Sequence, residues 1–288
     1  MNRKKNKKKK IIIISIIFAV LAAISVWIAW GNSALMVNEI SVTSDELPQS
    51  FSGYKIAQVS DLHNAQFGKD NEKLIEKLNE CEPDIIVLTG DLIDSYHTNI
   101  DVSISFAEKA VQIAPTYYVT GNHEARIDGL SEFLKRLEDK GVTVLQNESV
   151  TLNNENESIT LLGVSDPSFQ ADYLFGDEKT VTDSAVSDLM NGTDGYTVLL
   201  SHRPEMFDVY VKNNVDLVLT GHAHGGQFRL PFFGGLVAPG QGLFPKYDSG
   251  LYTMNGTNMI VSRGIGNSII PFRVNNRPEI VMVELSSS

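Results

Sequence analysis

Thiol chemistry is almost absent from this chain. Its 288 residues include one cysteine, Cys81, so neither an intramolecular disulfide nor a thiolate metal cage can form. Tryptophan is nearly as scarce, with Trp27 and Trp30 the only two. No acidic residue occurs in the first 30 positions, where Arg3, Lys4, Lys5, Lys7, Lys8, Lys9 and Lys10 hold seven of the 24 basic residues. The other 17 basic residues face 35 acidic ones, a balance of −18 within an overall −11. An acidic body lacks the basic footprint that nucleic-acid phosphates require, which argues against nucleic acid as a main partner. The glycine-rich stretch 234–242 lacks the Gly-Lys-Ser/Thr ending of a P-loop, and no twin-arginine signal is present.

What the amino-terminal segment does have is twenty uncharged residues, 11–30, interrupted only by Ser15 and Ser25. As a helix rising 1.5 Å per residue this run spans about 30 Å, the hydrocarbon thickness of a bilayer. Both tryptophans fall at its far end, where an interfacial belt belongs. The preceding lysines then act as a topological signal, retained in the cytoplasm, with everything after Gly31 across the membrane. A cleaved signal peptide has a shorter apolar core and a small-x-small site, of which Ala29-Trp30-Gly31 is a poor version. The reading is a basic cytoplasmic segment (1–10), a transmembrane anchor (11–30), a stem with an opening strand (31–54) and one catalytic domain (55–286).

From Lys55 the pattern alternates strand and helix. Apolar runs at 56–60, 84–89 and 116–120 read as strands, and 69–80, 101–113 and 131–139 as helices. Asp61 and Asp91 are 30 residues apart and Asp91 and Asn122 are 31, the length of a βαβ unit with parallel strands. Short strands at 142–145, 150–152 and 159–162 suggest a second sheet, mixed or antiparallel. A helix at 182–190 follows, and strands at 196–200 and 216–220 flank a helix at 204–212. The tail adds strands at 259–262 and 279–285. The economical architecture is α/β, two sheets flanked by helices.

Five of the six histidines sit in clusters that follow these strands: Asp61-Leu62-His63, Gly121-Asn122-His123-Glu124, Ser201-His202 and Gly221-His222-Ala223-His224, with Gly90-Asp91 as a fifth strand-end motif. In an open α/β sheet ligands bind beyond the carboxyl ends of the strands, so one edge gathers all of them. A lone strand-end histidine is more often ordinary hydrogen-bonded structure. Five such motifs in order are a metal site, with histidine, aspartate and asparagine as nitrogen and oxygen ligands suited to Mn, Fe or Zn. Asp61 and His63 point the same way if strand geometry continues. The same holds for His222 and His224, so each pair can reach one metal, although a turn between His222 and His224 could aim them at two different metals. Asp91 is the natural bridge, having two oxygens to offer. The pattern points to a hydrolase with two divalent metal ions.

Asp61-x-His63, Gly90-Asp91, Gly121-Asn122-His123-Glu124, His202 and Gly221-His222-x-His224 resemble the calcineurin-like metallophosphoesterase superfamily motif for motif. Gly225-Gly226-Gln227-Phe228-Arg229-Leu230-Pro231, Ser262-Arg263-Gly264-Ile265-Gly266 and Pro278-Glu279-Ile280 resemble its bacterial YkuE-like branch. The resemblance covers roughly 37–286. It implies a four-layer α-β-β-α sandwich of two mixed sheets and a dinuclear site with a metal-bridging hydroxide. Asp61, His63, Asp91 and His224 would then hold one ion, and Asp91, Asn122, His202 and His222 the other. His123 would face the substrate as acid or transition-state stabiliser. Arg203, Arg263, Arg273 and Arg277 are candidates for gripping phosphate, while Asp94 and His97 stand behind the Gly90-Asp91 turn. The expected substrate is a phosphoester or pyrophosphate, small or lipid-linked. The rivals are a catalytically silent metal-binding scaffold, which would be expected to have lost ligands, and a nucleotide or nucleic-acid phosphodiesterase.

Overall fold

In the computed structural model, which describes residues 2–170, 177–267 and 269–288, the amino-terminal segment is one uninterrupted helix, α1 (Asn2–Ser33). Its stretch Asn6–Ser33 is long and apolar enough to cross a membrane. The helix outruns 11–30 at both ends because lysine continues a helix readily and no proline interrupts it. The opening strand expected within 31–54 is present and longer than its 37–42 core suggests. Only Ala34 and Leu35 separate α1 from strand β1 (Met36–Ser44), which pairs in parallel with the last strand of the chain.

The alternation that follows is β2 (Lys55–Val59), α2 (Glu72–Glu80), β3 (Ile85–Thr89), α3 (Ile100–Ala110), β4 (Thr116–Val119), α4 (Leu130–Asp139) and β5 (Thr143–Val144). Helix α2 starts three residues later than its pattern suggests. The Asn71 side chain accepts from the Phe67 N–H and donates to the Ala65 carbonyl, holding Asp70 and Asn71 in left-handed backbone ahead of it. A hairpin, β6 (Glu148–Asn154) and β7 (Glu157–Gly163), opens the second sheet, followed by α5 (Glu178–Met190), β8 (Thr197–Leu200), α6 (Phe207–Lys212) and β9 (Leu217–Thr220). Two miniature hairpins come next, β10 (Arg229–Leu230) with β11 (Gly234–Gly235) and β12 (Val237–Ala238) with β13 (Gly242–Leu243). Strands β14 (Gly250–Met254), β15 (Thr257–Val261) and β16 (Glu279–Ser287) complete the chain.

The strand order is β1-β16-β2-β3-β4-β5 in one six-stranded sheet and β14-β15-β9-β8-β7-β6 in the other. Both are mixed: β2 to β5 run parallel beside antiparallel β16, and β7, β8, β9 and β15 run parallel between antiparallel edges. Side-chain alternation divides the core into layers. Ile56, Val87, Val198, Leu219, Ile260 and Val283 fill the space between the sheets. Ala57, Ile86 and Leu88 face Leu74, Leu78, Phe106 and Phe133 of the helices on one outer side. Leu199, Val218 and Met259 face Val186, Phe207 and Tyr210 on the other. The result is a four-layer α-β-β-α sandwich. One polar side chain bridges its middle: buried Gln58 donates to the Thr89 hydroxyl at 2.9 Å in its own sheet and to the Thr220 carbonyl at 2.8 Å in the other. That contact brings the ends of β2, β3 and β9 to one edge.

Candidate metal centre

At this edge the strands stop and the chain turns sharply. Asp61, His63, Asp91, His222 and His224 all have φ between 44° and 64°. Left-handed backbone is uncommon for residues with a Cβ and concentrates at functional sites. Asp61 and His63 therefore converge through a turn, not through continued strand alternation. The turns are laced together by backbone bonds: Asp61 N–H to the Gly90 carbonyl and His63 N–H to the Asp91 carbonyl, both 3.0 Å. Gly90, at φ 87°, has no room for a side chain, since a Cβ there would stand 2.6 Å from His202 Nδ1.

The side chains form two adjoining groups. His63 Nε2 and His224 Nε2 lie 3.2 Å apart, with Asp61 Oδ1 3.4 Å from His224 Nε2. His202 Nε2 lies 3.1 Å from Asp91 Oδ2 and 3.2 Å from His222 Nδ1. Each set, Asp61, His63 and His224 or Asp91, His202 and His222, converges closely enough to hold one ion. Asp91 also lies 3.6 Å from His63, at the seam between the groups. The turn between His222 and His224 separates them, one to each group. His123, its ring centroid 4.5 Å from that of His63, converges with His63 and Asp91 in a third such set that overlaps both groups.

The chemistry of this donor set fits metal. All of these residues are buried, yet neither Asp61 nor Asp91 has a lysine or arginine within ion-pair distance among the described residues. Burial raises the Asp61 carboxyl to about 6. Asp91 is pulled the opposite way from its burial penalty by the adjoining histidines, above all His202, and falls well below the usual carboxylate range. His202 reaches about 10, its burial outweighed by Asp91. Burial drags His63 down to about 4, and carries His222 and His224 well below the usual imidazole range, helped by Arg203 and His63 respectively. Asn122 Oδ1 is buried with no hydrogen-bond partner among the described residues, an acceptor that a cation would satisfy. His202 Nδ1 faces the Thr89 carbonyl at 2.7 Å, which fixes Nδ1–H and directs Nε2 to Asp91.

Around this set stand residues whose importance the spacing alone did not reveal. The buried Glu124 carboxylate accepts from the backbone N–H of Gly121 (2.7 Å), Asp91 (3.0 Å) and Ile93 (3.2 Å), clamping two turns at once. Its burial, with Asp91 nearby, raises its carboxyl to about 7. The signal available was its place in Gly-Asn-His-Glu. Ser95 N–H donates to His123 Nδ1 at 3.0 Å, and Asp94 lies 3.6 Å from the same nitrogen. His97 is exposed and pairs with Asp94 at 3.2 Å, away from the cluster.

The four arginines diverge. Arg203 is buried, bound to Asp166 through two contacts of 2.5 and 3.0 Å, with Nη1 3.3 Å from His222. Asp166 raises its pKa against the pull of burial. Arg273, fully buried, donates to the carbonyls of Gly266 and Arg263 and reaches within 3.4 Å of His224 Nδ1. Arg263 lies 3.5 Å from Glu279. Arg277 turns from the histidines to the Ala34 and Leu35 carbonyls at 2.8 and 2.9 Å.

The profile described as Calcineurin-like phosphoesterase matches residues 54–226. Over 255 residues the chain is 31% identical to the uncharacterized metallophosphoesterase YkuE of Bacillus subtilis, covering 87% of this chain and 85% of that one. It is 28% identical to the phosphodiesterase YaeI of Escherichia coli, over 81% and 82% of the two chains. A transmembrane protein with metallophosphoesterase domain from Danio rerio is 28% identical over 88% of this chain and 57% of its own. Carrying its motifs in this order at the strand ends of this sandwich, the chain belongs to the calcineurin-like phosphoesterase family and is a metal-dependent phosphohydrolase.

Proposed function

We propose that this is a membrane-anchored phosphoesterase whose catalytic domain, 55–286, works outside the cytoplasmic membrane with two divalent ions, Mn, Fe or Zn. The observation that carries the reading is the pair of ligand groups meeting at Asp91, with the orphaned Asn122 oxygen beside them. Asp61, His63, Asp91 and His224 would hold one ion and Asp91, Asn122, His202 and His222 the other. Bound there, two ions supply Lewis acidity for phosphoryl oxygens and an activated water.

The chain's own residues do the rest. The Ser95 N–H donor at His123 Nδ1 leaves the neutral imidazole with its proton on Nε2. Burial lowers the His123 pKa, favouring that neutral form at pH 7. Nε2–H is then the donor to the leaving oxygen, a role worth about 10²–10⁴ in rate. Arg203 and Arg273 border the ligand histidines from two sides, adding positive charge beside the phosphoester while their protein partners hold them still. Glu124 keeps the Asp91 and Asn122 turns in register.

An intact donor set speaks against a silent scaffold, and the acidic body against a nucleic-acid substrate. The anchor favours a phosphoester or pyrophosphate of the cell envelope, lipid-linked or carried by a small molecule. The full chain in detergent should contain close to two divalent ions, lose phosphatase activity to a chelator and regain it with Mn²⁺. Because Asp91 favours the protonated form of His202 and ligation must displace that proton, rebinding should release protons, measurable by calorimetry in buffers of different ionisation enthalpy. Full activity without metal would overturn the reading. Protease added to intact cells, after any wall is removed, should digest the domain and spare a lysine-rich stub; protection would put the site in the cytoplasm.

A further inference from the structure

Outside α1, nine large hydrophobic side chains are exposed among the described residues, and seven of them crowd onto two loops beside the metal centre. They include Phe232 and Phe233 at the tip of the first miniature hairpin, Leu243 and Phe244 where the second one ends, and Ile269 and Phe272 in the tail. Phe232 is wholly exposed and Ile269 is 77% exposed. Phe232 and Phe244 also sit in left-handed backbone, φ 70° and 53°, where glycine would be free of strain. Bulky rings held this way against solvent gain little from burial in their own chain, which leaves them open to an outside partner. Single exposed apolar side chains are ordinary on a soluble surface, whereas a gathering of them marks a site of interaction.

The loops form one connected surface. Gln227 donates to the carbonyls of Ile270 and Phe272 at 3.0 and 2.7 Å, and the Phe228 and Phe272 rings lie 5.5 Å apart. Leu236 links the hairpins, its N–H bound to Phe228 and its carbonyl to Phe244, both at 2.8 Å. This surface is fastened to the end of the apolar helix. Asn32 donates to the Arg273 carbonyl at 2.9 Å and accepts from the Arg273 N–H at 2.7 Å, while the Arg277 guanidinium covers Trp30 at 5.1 Å. It is fastened equally to the metal centre, through Asn276 to the His224 carbonyl at 2.7 Å. Between α1 and the tail lies a cleft of about 260 Å³ walled by Trp27, Trp30, Arg263, Arg273 and Arg277. Tryptophan with arginine is the composition of a headgroup layer, and it occurs here on an otherwise acidic body.

We propose that the loops bearing Phe232, Phe233, Phe244 and Ile269 dip into the leaflet that α1 leaves, seating the metal centre at headgroup level. The substrate is then an amphiphilic phosphoester whose apolar tail stays in that leaflet while its phosphate reaches the metal centre. This rests on the membrane-anchored reading given above.

The test uses the full chain carrying Cys81→Ser, in vesicles of phosphatidylethanolamine and phosphatidylglycerol. Single cysteines Phe233→Cys, Phe244→Cys, Val20→Cys in the anchor and Glu155→Cys at the far β6–β7 turn carry a nitroxide. Labels at 233 and 244 should relax with oxygen, as at 20, and the label at 155 with a water-soluble nickel chelate. If 233 and 244 behave like 155 while 20 is in lipid, the seat is wrong and the anchor stands. If 20 is also in water, the anchor fails and takes the seat with it. Phe232→Ser with Phe233→Ser should lower hydrolysis of a lipid-tailed nitrophenyl phosphodiester in vesicles at least tenfold more than that of bis-nitrophenyl phosphate in solution. Equal effects on the two would overturn the substrate class.

Discussion

Two kinds of chain border the metal centre, and they are held by different physics. The turns after β2, β3, β4, β8 and β9 are short, buried and continuous with strands that are themselves nearly all buried. Their positions are inherited from the sheets, and their strained backbone is locked by mutual hydrogen bonds and by Glu124. The loops of 226–247 and 263–277 have only two-residue ladders and a few side-chain ties, such as Asp248 to the Gly235 N–H at 2.5 Å and to Arg229 at 3.1 Å. The first kind can hold ligand atoms to a fraction of an ångström. The second can present apolar tips to a surface and adapt. Chemistry on rigid scaffold and recognition on loops is a common division of labour, and here it lies within one site.

Breaking the rigid side should cost most at its centre. Asp91→Ala removes the carboxylate shared by both groups, so metal content should fall and activity should drop to that of chelated protein; retained metal with retained turnover would show that Asp91 is not the bridge. His123→Ala tests chemistry without the scaffold. Turnover should fall about 10²–10⁴-fold with metal content near the original, and loss of an ion would make His123 a ligand. Glu124→Gln keeps the shape but removes one acceptor oxygen from three backbone donors. A buried donor left unmatched costs about 1–3 kcal/mol, and outer-shell changes in metal sites cost about 10–100-fold in affinity or activity. A lower Tm together with weaker metal binding is therefore expected, and a change in neither would mean that the clamp is idle. The smallest effect belongs to His97→Ala. Among the described residues that exposed ring pairs with Asp94 alone, so kcat and metal content should change by less than about twofold, in keeping with the small worth of surface pairs.

The rigid side was also the legible side. Apolar runs such as 84–89 and 116–120 announce buried strands, and ligand-type residues directly after them must emerge at the sheet edge. Hence the order Asp61, His63, Asp91, Asn122, His123, His202, His222, His224 could be read in advance. The loops could not. Their ladders are too short to carry a period, and β14, with polar and apolar residues on an exposed edge, gave no pattern that stood out. The arginines show the same limit, because composition marks them as phosphate grips while Asp166, Glu279 and the Ala34 carbonyl decide where each guanidinium points.

By itself the sequence determined the alternation of elements, the set of candidate ligand residues and a helix apolar enough for a bilayer, because each depends on residue types within a few positions of one another. Tertiary structure alone decided which histidine joins which group, that Asp61 and His63 meet through left-handed turns, that Glu124 clamps the backbone, and that the end of α1 is clasped to Arg273 beside the metal centre. Those outcomes rest on contacts between residues far apart in the chain, such as Gln58 with Thr220 and Asn32 with Arg273, whose distances are set by how two sheets stack and not by any local spacing.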